Sequence, residues 1–446
     1  MTFRLSAAPA VCLAAILFAA AGTIASAEDT ETQRQMKTLQ EHNAALEELV
    51  HRQATMIEGL NERVGALEKS GGRHANTASP EEESPPAAKS SGGFNLGKIN
   101  VSGEGGVALF HSGSEGMFPN TEFRIDEAKL FVEAPVWDDI YFFTELNLAR
   151  REDTDLDLRV GEFYLDFENV SQLWNRERLL NIRIGRLDIP FGEEYSARDA
   201  IDNPLISHSL TDFWGVDEGI ELYGSLGKFS YAVAVQNGGI PVAQDFTKDK
   251  SVAGRITYDP SPRLHFSVSG MRTGDLDANL DYYSELWFGN GWFLSLGGPN
   301  TTRFHANLVE GDATVRWKGG QLKAFGGAVC YDDNDSAQSN ARQMYFYSVE
   351  AQHSFARKLY AAARFSQIFA DQGYPIPGNG NWNDYLFNYA PNGLATELWR
   401  LSLGLGYRFS DRLVLKVDYT IERGRQLTGE SRDHEDLFAA EAAFKF

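Results

Sequence analysis

The stretch Phe438-Ala439-Ala440-Glu441-Ala442-Ala443-Phe444-Lys445-Phe446 decides how the rest of the chain is read. Phe438, Ala440, Ala442, Phe444 and Phe446 share one face, and Glu441 and Lys445 fall on the other. A period of two with one apolar and one polar face is a β-strand. In a transmembrane barrel one such face meets lipid and the other a polar lumen. The question is whether the chain repeats the pattern.

It does, across residues 94–446. Phe229, Tyr231, Val233 and Val235 alternate with Ser230, Ala232, Ala234 and Gln236. Val252, Gly254, Ile256 and Tyr258 alternate with Ala253, Arg255 and Thr257. Trp399, Leu401, Leu403, Leu405, Tyr407 and Phe409 alternate with Arg400, Ser402, Gly404, Gly406 and Arg408. Leu413, Leu415, Val417, Tyr419 and Ile421 alternate with Arg412, Lys416, Asp418 and Thr420. Each run approaches the roughly 9 to 11 residues that a tilted strand needs to cross a bilayer. The pattern predicts about sixteen antiparallel strands, an even number as in bacterial single-chain barrels. Short turns, such as Pro135-Val136-Trp137, Ser225-Leu226-Gly227 and Pro260-Ser261-Pro262, alternate with long loops. The link at 168–178 is longer than a tight turn. A soluble β-sandwich is the alternative, but it accounts for neither the alternating loop lengths nor the inward arginines.

The composition agrees with a barrel. Charged residues make up 23% and glycines number 42. Beyond the N-terminus no run approaches the roughly 20 apolar residues of a membrane-spanning helix. At the N-terminus, Arg4, the apolar stretch Ala7–Ala21 and Ala25-Ser26-Ala27 read as a secretory signal over 1–27. A membrane anchor is the alternative there. Cys12 falls in the signal and Cys330 stands alone after it, so no internal disulfide is expected. Net charge is −21, and the 33 basic and 50 acidic residues after residue 93 leave −17. That balance argues against nucleic acid as a partner.

Residues 28–69 carry a heptad with Met36, Asn43, Val50, Ile57 and Val64 at a, and Leu39, Leu46, Gln53, Leu60 and Leu67 at d. The spacing predicts a self-associating coiled-coil helix, with Asn43 and Gln53 as polar insertions that fix register. A single amphipathic helix is the alternative. Residues 70–93, rich in Gly, Ser, Pro and Glu, form a disordered linker. With both ends of the barrel on the short-turn side, the helix would hang in the periplasm as a stalk.

The connection after the fifth strand, 190–215, is long and carries both signs of charge: Asp188 just before it, then Glu193, Glu194, Arg198, Asp199, Asp202 and Asp212. Here the chain resembles the phosphate-selective porin O and P family. The likeness rests on Gly185-x-x-x-x-Pro190-Phe191-Gly192-x-Glu194, on Gly215-Val216, on Val235-Gln236-Asn237-Gly238 and on Phe446. It covers the barrel and not the stalk. The resemblance implies a sixteen-stranded trimeric outer-membrane channel whose third loop folds inward and constricts the pore. It also implies assembly by the barrel-assembly machinery from the terminal Phe444 and Phe446. The family's lysine cluster has no match here, which puts phosphate selectivity in doubt. Arg183, Arg255, Arg364, Arg400 and Arg408 face inward by parity and would form a wall opposite the loop-three acids, setting up a transverse field. The alternative is that each pairs with acids of neighbouring strands.

Other chemistry is thinly supported. An enzyme on the outer rim would need a nucleophile and a base that spacing alone does not supply. His305 and His353 read as ordinary lumen or interface residues. Asp332, Asp333 and Asp335 lack the glycine and distal glutamate of a calcium loop. The aromatic run 282–293 reads as a membrane-edge girdle or, alternatively, a sugar platform. No cofactor or metal is expected. The sequence thus predicts an outer-membrane porin of a Gram-negative bacterium, passing small hydrophilic solutes or ions. Its expected partners are lipid and its own copies. A structural barrel tethering the stalk to peptidoglycan is the second reading, and an anion channel the third.

Overall fold

The computed structural model describes residues 94–446 except 97, 152–157, 195–198, 212–214, 239–246, 278–301, 335–339, 377 and 380–393. The signal, the heptad residues and the linker lie outside the described residues, as do Arg198, Asp212, Asp335 and the aromatic run 282–293.

Sixteen long strands form the wall: β1 Ile99–Ser112, β2 Glu122–Trp137, β3 Ile140–Arg150, β4 Arg159–Phe167, β5 Asn181–Asp188, β6 Val216–Leu226, β7 Phe229–Gln236 and β8 Ser251–Ser261 are followed by β9 Leu264–Arg272, β10 Arg303–Trp317, β11 Gly320–Asp333, β12 Arg342–Ser354, β13 Leu359–Tyr374, β14 Ala395–Ser410, β15 Leu413–Gln426 and β16 Leu437–Lys445. Three further strands of two or three residues sit at the rims: Phe94–Leu96, Leu276–Asp277 and Ser431–Arg432. Each long strand pairs antiparallel with the next. β16 pairs back onto β1, from Leu437↔Ser112 to Lys445↔Glu104, and closes the ring. Closure leaves no long edge with unpaired backbone groups, which lipid could not solvate.

The turns at one end are tight and lie a few residues from the expected positions. Pro135–Trp137, Ser225-Leu226 and Pro260-Ser261 belong to strands, and the chain reverses just beyond them. Asp139, Gly227 and Gly319 take positive φ (57°, 64° and 85°) at three of these reversals. The longer link after β4 contains a 3-10 turn, Val170–Trp174, bounded by Asn169 and Asn175 in the left-handed region. Ser171 Oγ there accepts from the amides of Leu179 (2.9 Å) and Leu180 (3.2 Å).

The outer face carries the apolar alternates. On β15, Leu413, Leu415, Val417 and Tyr419 are exposed, while Val414, Lys416, Asp418 and Thr420 between them are buried. That is the inverse of a soluble protein, and it is what lipid on the outside demands. Exposed aromatics gather near the tight-turn end: Trp137, Tyr141, Phe229, Tyr258, Trp317 and Phe409. Phe229 and Tyr258 stack at 4.6 Å between ring centres. An interfacial girdle on that rim has this form.

Candidate functional site

The described residues of the connection from Ile189 to Gly215, loop three, run inside the barrel. Its apolar residues pack on the inner wall. Ile189, Phe191 and Leu210 join a core with Met271, Phe304, Met344, Ile368 and Leu398. Ala200, Ile201 and Leu205 meet Tyr360, Ala362, Val414 and Ala443. Ile206 packs with Phe110 and Leu437.

A segment with little secondary structure still has to satisfy its backbone groups. Here the wall does it with charged side chains. Lys416 Nζ donates to the carbonyls of Ala200 (2.6 Å), Leu205 (2.9 Å) and Asn203 (3.3 Å). Its counter-charge is Glu441 at 2.7 Å. Asp418 Oδ2 accepts from the amides of Ile206 (2.8 Å) and Ser207 (2.9 Å). Arg364 Nη1 donates to the Ser207 carbonyl (2.7 Å), Nη2 to Asn203 Oδ1 (2.9 Å), and Nε to Glu350 (2.9 Å). Arg400 Nη1 donates to the His208 carbonyl (2.7 Å), and its Nε to Glu422 (2.6 Å). Arg151 Nη2 donates to the Ile206 carbonyl (2.8 Å) and pairs with Asp126. Such charge-assisted bonds each stabilise by about 1.5–3 kcal/mol when both partners stay buried.

The Pro190-Phe191-Gly192 entrance has a steric reason. Gly192 sits at φ +72°, and a Cβ there would come within 2.9 Å of Glu310. Its amide donates to Ser269 Oγ (3.0 Å), and its carbonyl accepts from Arg255 Nη1 (2.7 Å). Gly404 on the wall serves the same fit, since a Cβ would stand 2.5 Å from Leu205.

The expected site residues fall into two groups. Glu193 pairs with Arg255 (3.3 Å) and His265 (3.1 Å). Burial pushes the Glu193 carboxyl up, but the His265 hydrogen bond and the Arg255 charge outweigh it and hold it below its ordinary value. Glu194 turns back into the loop, accepting from the Ser209 amide (3.1 Å), with Arg364 4.0 Å away. Asp199 pairs with Lys129, and Asp202 stands 3.9 Å from Lys445. Arg364 and Arg400 do not face loop three across a channel: they lie beneath it, 5% and 6% exposed. Arg408 sits 5.9 Å from the Tyr360 ring.

Arg183 differs. Its side chain is 32% accessible, held by Asp166 (2.9 Å) and Glu221 (3.2 Å) between the rings of Tyr164 and Tyr223. Around it on β3–β5, Glu145, Glu162 and Asp188 are part-exposed, with the Asp188 amide donating to Glu162 (3.3 Å). Inner-wall aromatics continue this lane, with Phe131 stacked near Phe143 and Phe143 near Tyr164. The wall on this side is acidic and part-exposed, whereas the wall under loop three is buried.

Lys416, Asp418, Arg151 and Lys129 are the anchors that sequence reasoning missed. Lys416 and Asp418 stood on the polar face of a recognised strand, but nothing local marked them as loop partners. The terminal aromatics close the wall: the Phe446 amide donates to the Gly103 carbonyl (2.9 Å), and Phe446 lies over Gly103 and Phe444 over Gly105.

A closed sixteen-stranded antiparallel barrel with an inward third loop is the fold of outer-membrane porins. Comparison with solved structures agrees. The outer-membrane channel DcaP of Acinetobacter baumannii aligns over 79% of this chain and 99% of its own, at 14% identity and a TM-score of 0.53. OmpT, an outer-membrane protein of Vibrio cholerae, aligns over 79% and 99%, at 12% identity and a TM-score of 0.51. OprB of Pseudomonas putida aligns over 78% and 94%, at 11% identity and a TM-score of 0.50. No family model matches the chain, and no curated relative matches it in sequence.

Proposed function

We propose that this protein is a passive diffusion channel of a Gram-negative outer membrane. Small hydrophilic solutes and ions would pass between loop three and the wall of β2–β9. The observation that carries the reading is the unequal lumen. Arg364, Arg400 and Lys416 are spent on the loop backbone, while Glu145, Glu162 and Asp188 remain part-exposed. A passage flanked by carboxylates favours cations. Phosphate selectivity, implied by the family resemblance, finds no free basic cluster among the described wall residues named above. The channel is read as a non-enzyme. Liposomes carrying the purified protein should swell in sugars at a rate that falls with solute size. Insertion without swelling would remove the channel.

The family resemblance also supports a trimer delivered by the barrel-assembly machinery through Phe444 and Phe446. The heptad at 36–67 supports a second role, a periplasmic stalk that joins the barrel to peptidoglycan. Deleting residues 28–93 should then leave swelling intact while reducing envelope attachment; unchanged attachment would remove the tether.

A further inference from the structure

Three carboxylates from three parts of the chain converge where the middle of loop three meets the wall. Glu104 comes from β1, Glu127 from β2 and Asp199 from the loop, each offering an oxygen within 4.8 Å of the others. Among the described residues, one cation stands with them. Lys129 Nζ bonds Asp199 but stands 3.8 Å from Glu127 and 3.9 Å from Glu104. Those two distances are ion pairs without a hydrogen bond. Glu127 has a second partner, the Ala200 amide at 2.6 Å. Glu104 fares worse: its side chain is 8% exposed, and its Oε1 has no hydrogen-bond partner. A carboxylate oxygen buried without a partner is costly, and here Glu104 Oε1 stands so beside two further carboxylates and one ammonium.

From this geometry we infer a divalent-cation site, calcium in preference to magnesium, formed by Glu104, Glu127 and Asp199. The excess of carboxylates over ammonium among these four described side chains suits a dication. Carboxylates from three separate segments suit calcium, which accepts irregular oxygen shells of about six to eight ligands, better than magnesium with its stricter octahedron. Water fills the remaining positions, and the flexible Lys129 ammonium withdraws to keep Asp199 as its neighbour. The ion ties the middle of the inner loop to the two strands beside the barrel seam. Metal content at that point would then help to set where loop three rests. The site is independent of whether the barrel conducts, so its test stands apart from the swelling assay.

The test is equilibrium dialysis of full-length, EDTA-treated protein in detergent against radiolabelled calcium. Wild-type protein should hold about one ion per chain that Glu104→Gln and Glu127→Gln each lack. If either variant fails to assemble, Asp199→Asn in the loop should show the same loss. Lys129→Met, which removes the competing ammonium, should bind calcium at least as tightly as wild type. Three results would each overturn the site: no calcium on the wild type, an undiminished ion in the carboxylate variants, or loss of binding in Lys129→Met.

Discussion

The inner faces of β12–β15 and of β3–β6 are built from the same residue types and behave in opposite ways. Both carry arginine paired with glutamate or aspartate across neighbouring strands. On β12–β15 the pairs Arg364–Glu350 and Arg400–Glu422 are sealed beneath loop three, and loop carbonyls accept from a further nitrogen of each guanidinium. On β4–β6 the group formed by Arg183 with Asp166 and Glu221 has no described loop residue bonded to it in these pairs, and the Arg183 side chain stays partly exposed. A charge on a barrel's inner face is therefore either scaffold or lumen, and what covers it decides which. Scaffold charges should govern stability, and lumen charges should govern permeation.

The largest break in that comparison is Arg364→Ala. It leaves Glu350 buried without its cation and frees Ser207 and Asn203, which should cost about 3–5 kcal/mol. Thermal unfolding in detergent should shift down sharply, and loop three should become a protease target. Next is Gly192→Val. A β-branched residue at φ +72° beside Glu310 should cost about 1–3 kcal/mol, read by the same unfolding curve. Phe446→Ala keeps its backbone bonds to Gly103, so the unfolding midpoint of assembled protein should move little. The amount reaching the outer membrane, measured by fractionation, should fall if the residue is an assembly signal. Smallest in stability is Glu145→Gln, within about 0.5–1 kcal/mol. Its effect should appear in ion preference instead, measured as a smaller reversal potential. An Arg364→Ala protein as stable as wild type, or a Glu145→Gln protein that unfolds early, would erase the distinction between the two walls.

The barrel was legible because lipid and lumen impose a period of two on every strand. Sixteen long strands form, the number that the alternation predicted. Loop three was legible as a position, through its length and its Pro-Phe-Gly entrance. Its attachments were not. Lys416 reaches Ala200 across 216 residues of sequence, and Arg364 reaches Ser207 across 157. No local pattern records such distances. Parity also misleads where the register slips. Between β1 and β2 a shift at Gly106/Val107 lets Asp126 and Glu127, adjacent in sequence, bind Arg151 and Ala200 respectively. Parity did find the inward arginines, but not that two of them lie under the loop.

The measurement closest to the central claim is the reversal potential of single channels in a planar bilayer under a potassium chloride gradient. With Arg364, Arg400 and Lys416 spent on loop three and the part-exposed carboxylates facing the passage, its sign should report preference for potassium, weakened by Glu145→Gln. A potential of chloride sign, or tight block of chloride current by micromolar phosphate, would contradict the account.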